Sequence, residues 1–473
     1  MKSKSFYTFL SFLFSCLLLM LFSCTKEPSG TTPIQPPTDT TTHASAVTMD
    51  LSQFLLLPNS TKALAVAFTP ATTANKGLTW ATSNSAVATV DAAGVVTAVA
   101  AGTAIISATS VDRPMLKVAT TVSVLKDYTV HVVGKGDSEH YTNAALYWKN
   151  GVPSELQGGH IIGTAAFAVT ASGADIYIAG STVNSSLWSI ATYWKNGMPV
   201  QLSDPLAQNN TYARSIAVSG GSVYVAGYSF TNTECPAYCF GRSRASLWVN
   251  KESVVKETPL YNTIATTQAF SIALSGADVL VAGSRSNSNF GRWSTIWKND
   301  FSAETSLSNT TDFNEATAIA VSESDVYTAG YGSCAGIGCA MSAKLWKNGS
   351  NNAIVLTDGT TEAQASGIAV SNGIIYISGY EKNSAGKYVS KYWKVDGNNV
   401  TSYALTDGAR NALANGITVV GDDVFIAGFE ENENGNKVAK YWRAYKGMAV
   451  AISLQSASLY TRNDSEAFGI CVQ

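Results

Sequence analysis

Three regimes of apolar and polar positions follow one another along this chain. Phe6 to Phe22 is a single apolar stretch, broken only by small polar residues and Cys16 and preceded by Lys2 and Lys4. Residues 25–45 are a Thr/Pro-rich run without apolar periodicity, which predicts a solvated tether. From Ala46 onward the chain breaks into short segments rich in Val, Ile, Tyr and Ala, many alternating with a period of two, each bounded by Gly, Asn, Asp or Ser. That pattern predicts strands and tight turns throughout, hence an all-β protein.

Within residues 127–473 the segments repeat. Trp148, Trp194, Trp248, Trp297, Trp346, Trp393 and Trp442 recur every 46 to 54 residues, a fixed period that marks a repeat architecture. Each unit holds four strand-like segments. One ends in glycine, as in Ile176-Tyr177-Ile178-Ala179-Gly180; one carries the tryptophan, as in Tyr147-Trp148-Lys149-Asn150-Gly151. One is short, as in Ile354-Val355-Leu356-Thr357; one is built from small residues, as in Ser215-Ile216-Ala217-Val218. Four strands per repeat make the blade of a β-propeller.

Seven tryptophan motifs, seven closing glycines (Gly134, Gly180, Gly227, Gly283, Gly330, Gly379 and Gly428) and seven small-residue segments predict seven blades. The first unit opens on its glycine-ended segment, and the last small-residue segment, Ala467 to Val472, stands near Gln473. Small side chains suit the crowded innermost strand. The C-terminal segment is therefore expected to complete the first blade and close the ring without an unpaired edge. Tyr147 and Trp148 point to opposite faces of a strand, and both faces of a blade are covered by neighbours, so the pair reads as inter-blade core. Trp188 and Trp293 share that parity and are expected between blades too.

The end of the first apolar stretch, Leu21-Phe22-Ser23-Cys24, resembles a bacterial lipobox. The resemblance implies cleavage before Cys24, diacylglyceryl attachment to it and acylation of the new N-terminus, which together make a stable membrane anchor. The alternative is an uncleaved spanning helix. Between Ala46 and Lys126, Leu78-Thr79-Trp80, Val87-Ala88-Thr89-Val90-Asp91, Gly94-Val95-Val96-Thr97 and Gly102-Thr103-Ala104 resemble the bacterial immunoglobulin-like domain, group 2. This implies a small Ig-like β-sandwich, commonly a spacer or adhesive module of surface proteins, with Val87, Val90, Val96 and Ile106 inward. It holds no cysteine, so it lacks an antibody-type disulfide. The propeller units are similar to kelch-type repeats, in which a glycine-ended strand precedes Tyr and Trp positions. They depart from them in having one glycine and an adjacent Tyr-Trp pair, so this likeness bears on fold alone. The expected organisation is residues 1–23 signal peptide, 24–45 tether, 46–126 Ig-like domain and 127–473 seven-bladed β-propeller.

Composition narrows the chemistry. Charged residues make up 14% of the chain and the net charge is −2; no basic stripe argues for nucleic acid. Cys235 and Cys239 fall in the unit 3 loop after the glycine-ended strand, and Cys334 and Cys339 in the corresponding unit 5 loop. Outside the cytoplasm such pairs are expected as short local disulfides. A four-thiolate zinc site is the alternative, but neither spacing is the usual two-residue knuckle. Cys471 is left over, expected as a small apolar residue of the inner strand. Nucleophile elbows, HExxH helices, phosphate-binding glycine loops and EF-hand ladders are missing from the sequence. Of the histidines, His131, His140 and His160 all fall in unit 1, so a metal site drawing on several blades is not expected. No cofactor is implied.

Carboxylates crowd the loops of one rim: Asp137, Glu139, Asp358, Glu362, Asp407, Glu430, Glu431, Asp464 and Glu466. A glycosidase needs only two, suitably separated. The same loops differ from unit to unit, whereas the turns of the opposite rim repeat, and rigid strands presenting diverse loops are where propellers bind ligands. Binding candidates on that rim are Tyr141, Phe230, Tyr238, Phe240, Arg242, Phe290, Arg292 and Arg410. The sequence thus points to a cell-envelope lipoprotein, expected at the outer membrane, with periplasmic and exterior orientations both open. Its expected function is non-enzymatic binding or adhesion toward a protein or glycan. The alternatives are a carbohydrate-active enzyme on the propeller and a structural envelope component.

Overall fold

The computed structural model describes residues 41–138, 143–158, 163–204, 206, 208–230, 243–251, 254–259, 266–286, 291–308, 313–333, 340–454 and 464–473. Every regular element among them is a strand. The first unit is a two-layer sandwich. Gln53–Leu56, Lys117–Val124, Gly102–Ser110 and Leu78–Thr82 form one sheet, with Gln53–Leu56 running parallel to Lys117–Val124. Thr61–Ala63, Val95–Ala98 and Ala88–Val90 form the facing sheet. Phe54, Leu56, Val87, Val96, Ile106 and Val122 bury their side chains between the layers, with Val90 and Trp80 packed at the margin. The strand period of two puts these residues on one face and the threonines between them on the other.

The rest of the described chain forms seven four-stranded antiparallel sheets. In six of them the four strands are consecutive, as in Ala165–Ser172, Asp175–Val183, Ser189–Lys195 and Met198–Gln201. In the remaining one, Ser465–Val472 pairs antiparallel with Val130–Gly136, followed by Ala144–Lys149 and Val152–Glu155. The first blade is therefore built from both ends of the repeat region. Each small-residue strand lies innermost and packs on the small-residue strand of the next blade, and Ser465–Val472 contacts both Ala165–Ser172 and Ala412–Val420. The ring closes. His131 fastens the closure: its imidazole is within 2.6 Å of the Tyr147 hydroxyl and 3.2 Å of the Gln473 carboxamide. Cys471, on the closing strand, is half-buried, and burial pushes its thiol up to about 12.

The tryptophans do the inter-blade packing. All seven are essentially inaccessible. Each lies in a different cluster against the preceding blade: Trp194 beside Val133 and Ala145, Trp248 beside Tyr177 and Tyr193, Trp442 beside Tyr376 and Tyr392, and Trp148 beside Phe425 and Tyr441. The residue before each tryptophan faces the following blade, as Tyr193 and Leu345 do. Trp293 is buried, but Trp188, expected between blades, is only half-buried. It ends a loop turned by the Asn184 side chain, which accepts hydrogen bonds from the Ser186 and Trp188 amides.

One rim is made of repeating turns. Asn150-Gly151 and Asn196-Gly197 both take positive φ at each residue, as a two-residue hairpin requires. The asparagine side chain accepts from a backbone amide at the start of the glycine-ended strand in four blades, Asn150 from Val130, Asn196 from Ile176, Asn299 from Val279 and Asn348 from Val326. The lysine after the tryptophan pairs with the aspartate that opens that strand: Lys195 with Asp175, Lys298 with Asp278 and Lys347 with Asp325 at 2.7–2.8 Å. Asn348, Lys347 and the Tyr327 hydroxyl together hold the Asp325 carboxyl at about 2. Blade 7 substitutes Arg443 and Asp423, and there the pair is buried. Arg443 also donates to the Lys126 carbonyl at 2.6 Å and lies over the Tyr128 ring. The segment joining the two units thus runs in on the turn rim, locked by the one turn arginine that replaces a lysine.

Candidate functional site

The closing glycines and the small-residue strands meet in one recurring device. In every blade the ladder between the innermost strand and the glycine-ended strand skips a residue of the innermost strand. This is a β-bulge, an unpaired residue that kinks its strand and redirects its side chain. A carbonyl beside the bulge is pushed against the glycine. A Cβ on any of the seven glycines would stand 1.9–2.1 Å from that oxygen, that of Glu466, Ala165, Tyr212, Gln268, Glu315, Gln364 or Leu413 in turn. Only glycine fits.

The skipped residues line the central channel. In blades 1, 2 and 4 they are Phe468, Phe167 and Phe270; in blade 3, Arg214. In blades 5, 6 and 7 they are Thr317, Ser366 and Asn415, the last together with Gly416. Each follows an alanine with no exposed surface (Ala467, Ala166, Ala269, Ala213, Ala316, Ala365, Ala414). The channel is therefore asymmetric, with rings on one arc and hydroxyl and amide groups on the other. Its upper part is a cavity of about 280 Å³ that also touches Glu315 and Gln364. The bulge comes early in the innermost strand, so this cavity opens on the loop rim, opposite the repeating turns.

Arg214 stacks on the Phe167 ring, its guanidinium carbon 4.1 Å from the centroid, and Phe167 in turn meets Phe468 at 5.6 Å. Burial lowers the Arg214 pKa, and the nearby Tyr228, Glu315 and Tyr212 work the other way. Arginine remains charged in proteins regardless. Thr317 and Asn415 stitch blades together by donating to the Ala365 and Ala467 carbonyls, both at 2.8 Å.

The loop-rim candidates fare unevenly. Arg292 is ion-paired with Glu315 and lies over Phe313, and Arg410 pairs with Glu433 at 3.3 Å. Phe230 is half-buried among Tyr212 and Tyr228. Tyr141, Tyr238, Phe240, Arg242 and Phe290 lie outside the described residues, as do Cys24, Cys235, Cys239, Cys334 and Cys339. The structure does not bring Phe230, Arg292 and Arg410 together; each is held within its own blade or by the next.

Among the described residues, the rim carboxylates raised as a possible acid–base pair are individually occupied. Glu362 pairs with Lys382 and accepts from Tyr380; Glu466 pairs with Lys437 and Lys135. Glu430 pairs with Lys440, and Glu431 accepts from Asn411. Asp358, Asp407 and Asp464 cap backbone amides, and Asp137 accepts from the Asn143 amide. Glu139 is outside the described residues. The lysine two residues before the tryptophan recurs as the partner of a glutamate two residues after the closing glycine: Lys391 with Glu381, Lys440 with Glu430. Sequence reading missed that pairing, and it missed the side chains that line the channel. The signal for the channel was present as alanine, variable residue, small residue in every unit: Ala166-Phe167-Ala168, Ala213-Arg214-Ser215, Ala467-Phe468-Gly469.

Residues 44–122 match the bacterial Ig-like domain (group 2) family. Over 83 residues, 18% of this chain, the sequence is 37% identical to an uncharacterized protein of Clostridium acetobutylicum, of whose length it spans 9%. The fold is similar to a puromycin-hydrolyzing peptidase of Mycobacterium tuberculosis, with a TM-score of 0.45 and 11% identity over 75% of this chain and 52% of that one. It is also similar to the β-propeller domain of the Trilobed protease from Pyrococcus furiosus, with a TM-score of 0.40 and 10% identity over 81% of this chain and 96% of that one. The first unit is a bacterial Ig-like domain of group 2, and the chain joins it to a β-propeller.

Proposed function

We propose that this protein is a non-enzymatic binding module of the bacterial cell envelope, tethered through lipid on Cys24, whose propeller offers its loop rim to a glycan or protein. One observation carries the reading. Seven four-stranded blades deliver seven channel side chains to a cavity on that rim, and the set combines rings, a cation, hydroxyls and an amide. A rigid scaffold with variable presented residues is the general design of a binding surface. The segment that joins the Ig-like unit to the propeller runs in on the opposite rim, fixed by Arg443. The occupied carboxylates favour binding over glycoside hydrolysis, because a general acid and its partner must be free to exchange protons.

The test is a glycan array probed with the intact chain and with two variants. One replaces residues 229–243 by the sequence of residues 381–387; the other carries Lys149→Ala and Lys347→Ala on the turn rim. The expected result is a ligand lost with the graft, at unchanged thermal unfolding, and kept by the turn-rim variant. Retention by the graft together with loss in the turn-rim variant would reverse the assignment.

A further inference from the structure

We propose that the channel mouth is a binding site for a hexuronate, the acidic end unit of a glycan, with its carboxylate on Arg214 and its ring against the phenylalanines. This rests on the binding reading above and specifies its ligand. The cation comes first. Among the described residues Arg214 makes no hydrogen bond or ion pair; its one contact of note is the Phe167 face. Glu315, the carboxylate whose charge acts on Arg214, is held by Arg292 and by the Tyr331 hydroxyl at 3.2 Å. Arg214 is half-buried, and an unpaired guanidinium partly shielded from water interacts more strongly with an anion than a fully exposed one does; its planar fork matches a carboxylate in two-point geometry.

The walls then choose among anions. Sulfate and inorganic phosphate are compact and strongly hydrated, and offer no apolar face to three phenylalanines. A pyranose carries C–H faces that can lie on Phe167 and Phe468, while its hydroxyls need partners. The opposite arc supplies them: the Ser366 and Gln364 side chains have no hydrogen-bond partner among the described residues, and the Asn415 carboxamide oxygen is likewise unused. The cavity, about 280 Å³, falls just below the roughly 300 Å³ at which drug-sized pockets begin, which suits a single sugar ring and excludes a helix or folded loop.

Calorimetry on the full chain, with a disaccharide ending in glucuronate, its neutral glucose-ended counterpart and benzoate, decides the matter. The expected result is binding of the glucuronate-ended sugar, with the neutral sugar and benzoate each at least tenfold weaker. Arg214→Met should weaken the acidic sugar at least tenfold and Arg214→Lys less, with Arg113→Met on the Ig-like domain unchanged. Circular dichroism melts establish that the variants are folded. If Arg214→Met does not fold, Ser366→Phe, which fills the same space from the other arc, should abolish binding. Equal binding of neutral and acidic sugars, benzoate binding without sugar binding, no binding at all, or indifference to Arg214→Met would each overturn the proposal. A different array ligand that is lost with the rim graft but unaffected by Arg214→Met would overturn it while leaving the binding-module reading intact.

Discussion

Whether a blade can close on the channel turns on one hydrogen atom. At Gly283 a methyl group would meet the Gln268 carbonyl at 1.9 Å and the Trp297 ring at 2.8 Å. Neither neighbour can retreat: the carbonyl belongs to the bulge and the ring is enclosed between blades. Gly283→Ala is expected to destabilise the propeller by roughly 2–4 kcal/mol, in the range of overpacked or strained core positions. The urea midpoint measures it, and a change under about 0.5 kcal/mol would mean that the bulge relaxes freely. The sequence showed that a glycine recurs there but not why, because a bulge belongs to two paired strands and neither alone displays it. Arg214 stayed hidden for the same reason. Read as part of an alternating strand it has no direction; only the skipped pair turns it into the channel.

At the level of the strand, the phase of the repeat was the most legible feature. The unit that begins mid-blade and the small-residue segment near the other end implied each other, and Ser465–Val472 does pair with Val130–Gly136. Removing residues 466–473 would unpair the innermost strand of one blade, expose the His131 imidazole that Gln473 now covers, and open the ring between Ala165–Ser172 and Ala412–Val420. The truncated chain is expected to melt at a clearly lower temperature and to self-associate through the freed edges, which a thermal melt and size-exclusion chromatography would show. A truncated chain that melts as the full one does would mean that the other six blades hold the ring unaided. The tryptophan positions were equally legible, since period-two parity and a neighbour on each face leave no other place for them. The glutamate–lysine ties such as Glu381 with Lys391 were not, because a cross-strand partner is set by register, and register was unknown until the strands were paired.

For the molecule as a whole, the two rims have different chemistry and the chain runs in on only one of them. If lipid on Cys24 holds this assembly at a membrane, Cys24→Ser should abolish labelling with a radioactive fatty acid and move the protein from the membrane to the soluble fraction. Continued membrane residence of that variant would assign retention to another part of the chain. Repeating fold and variable rim were readable from spacing. The lining of the channel was not, because it depends on which side chains a bulge turns inward rather than on any motif. That bulge has a further implication. A residue dropped from the ladder has no strand partner to match, and at Phe167, Phe270 and Phe468 the side chain points away from the tryptophan layers that hold blade to blade. At those three positions its identity is therefore uncoupled from the packing that holds the blades together. Leaving aside Thr317 and Asn415, which tie neighbouring blades, the channel behaves as a set of letters written on a fixed page, where specificity can be respelled one blade at a time, by mutation or by design, with the frame left as it was.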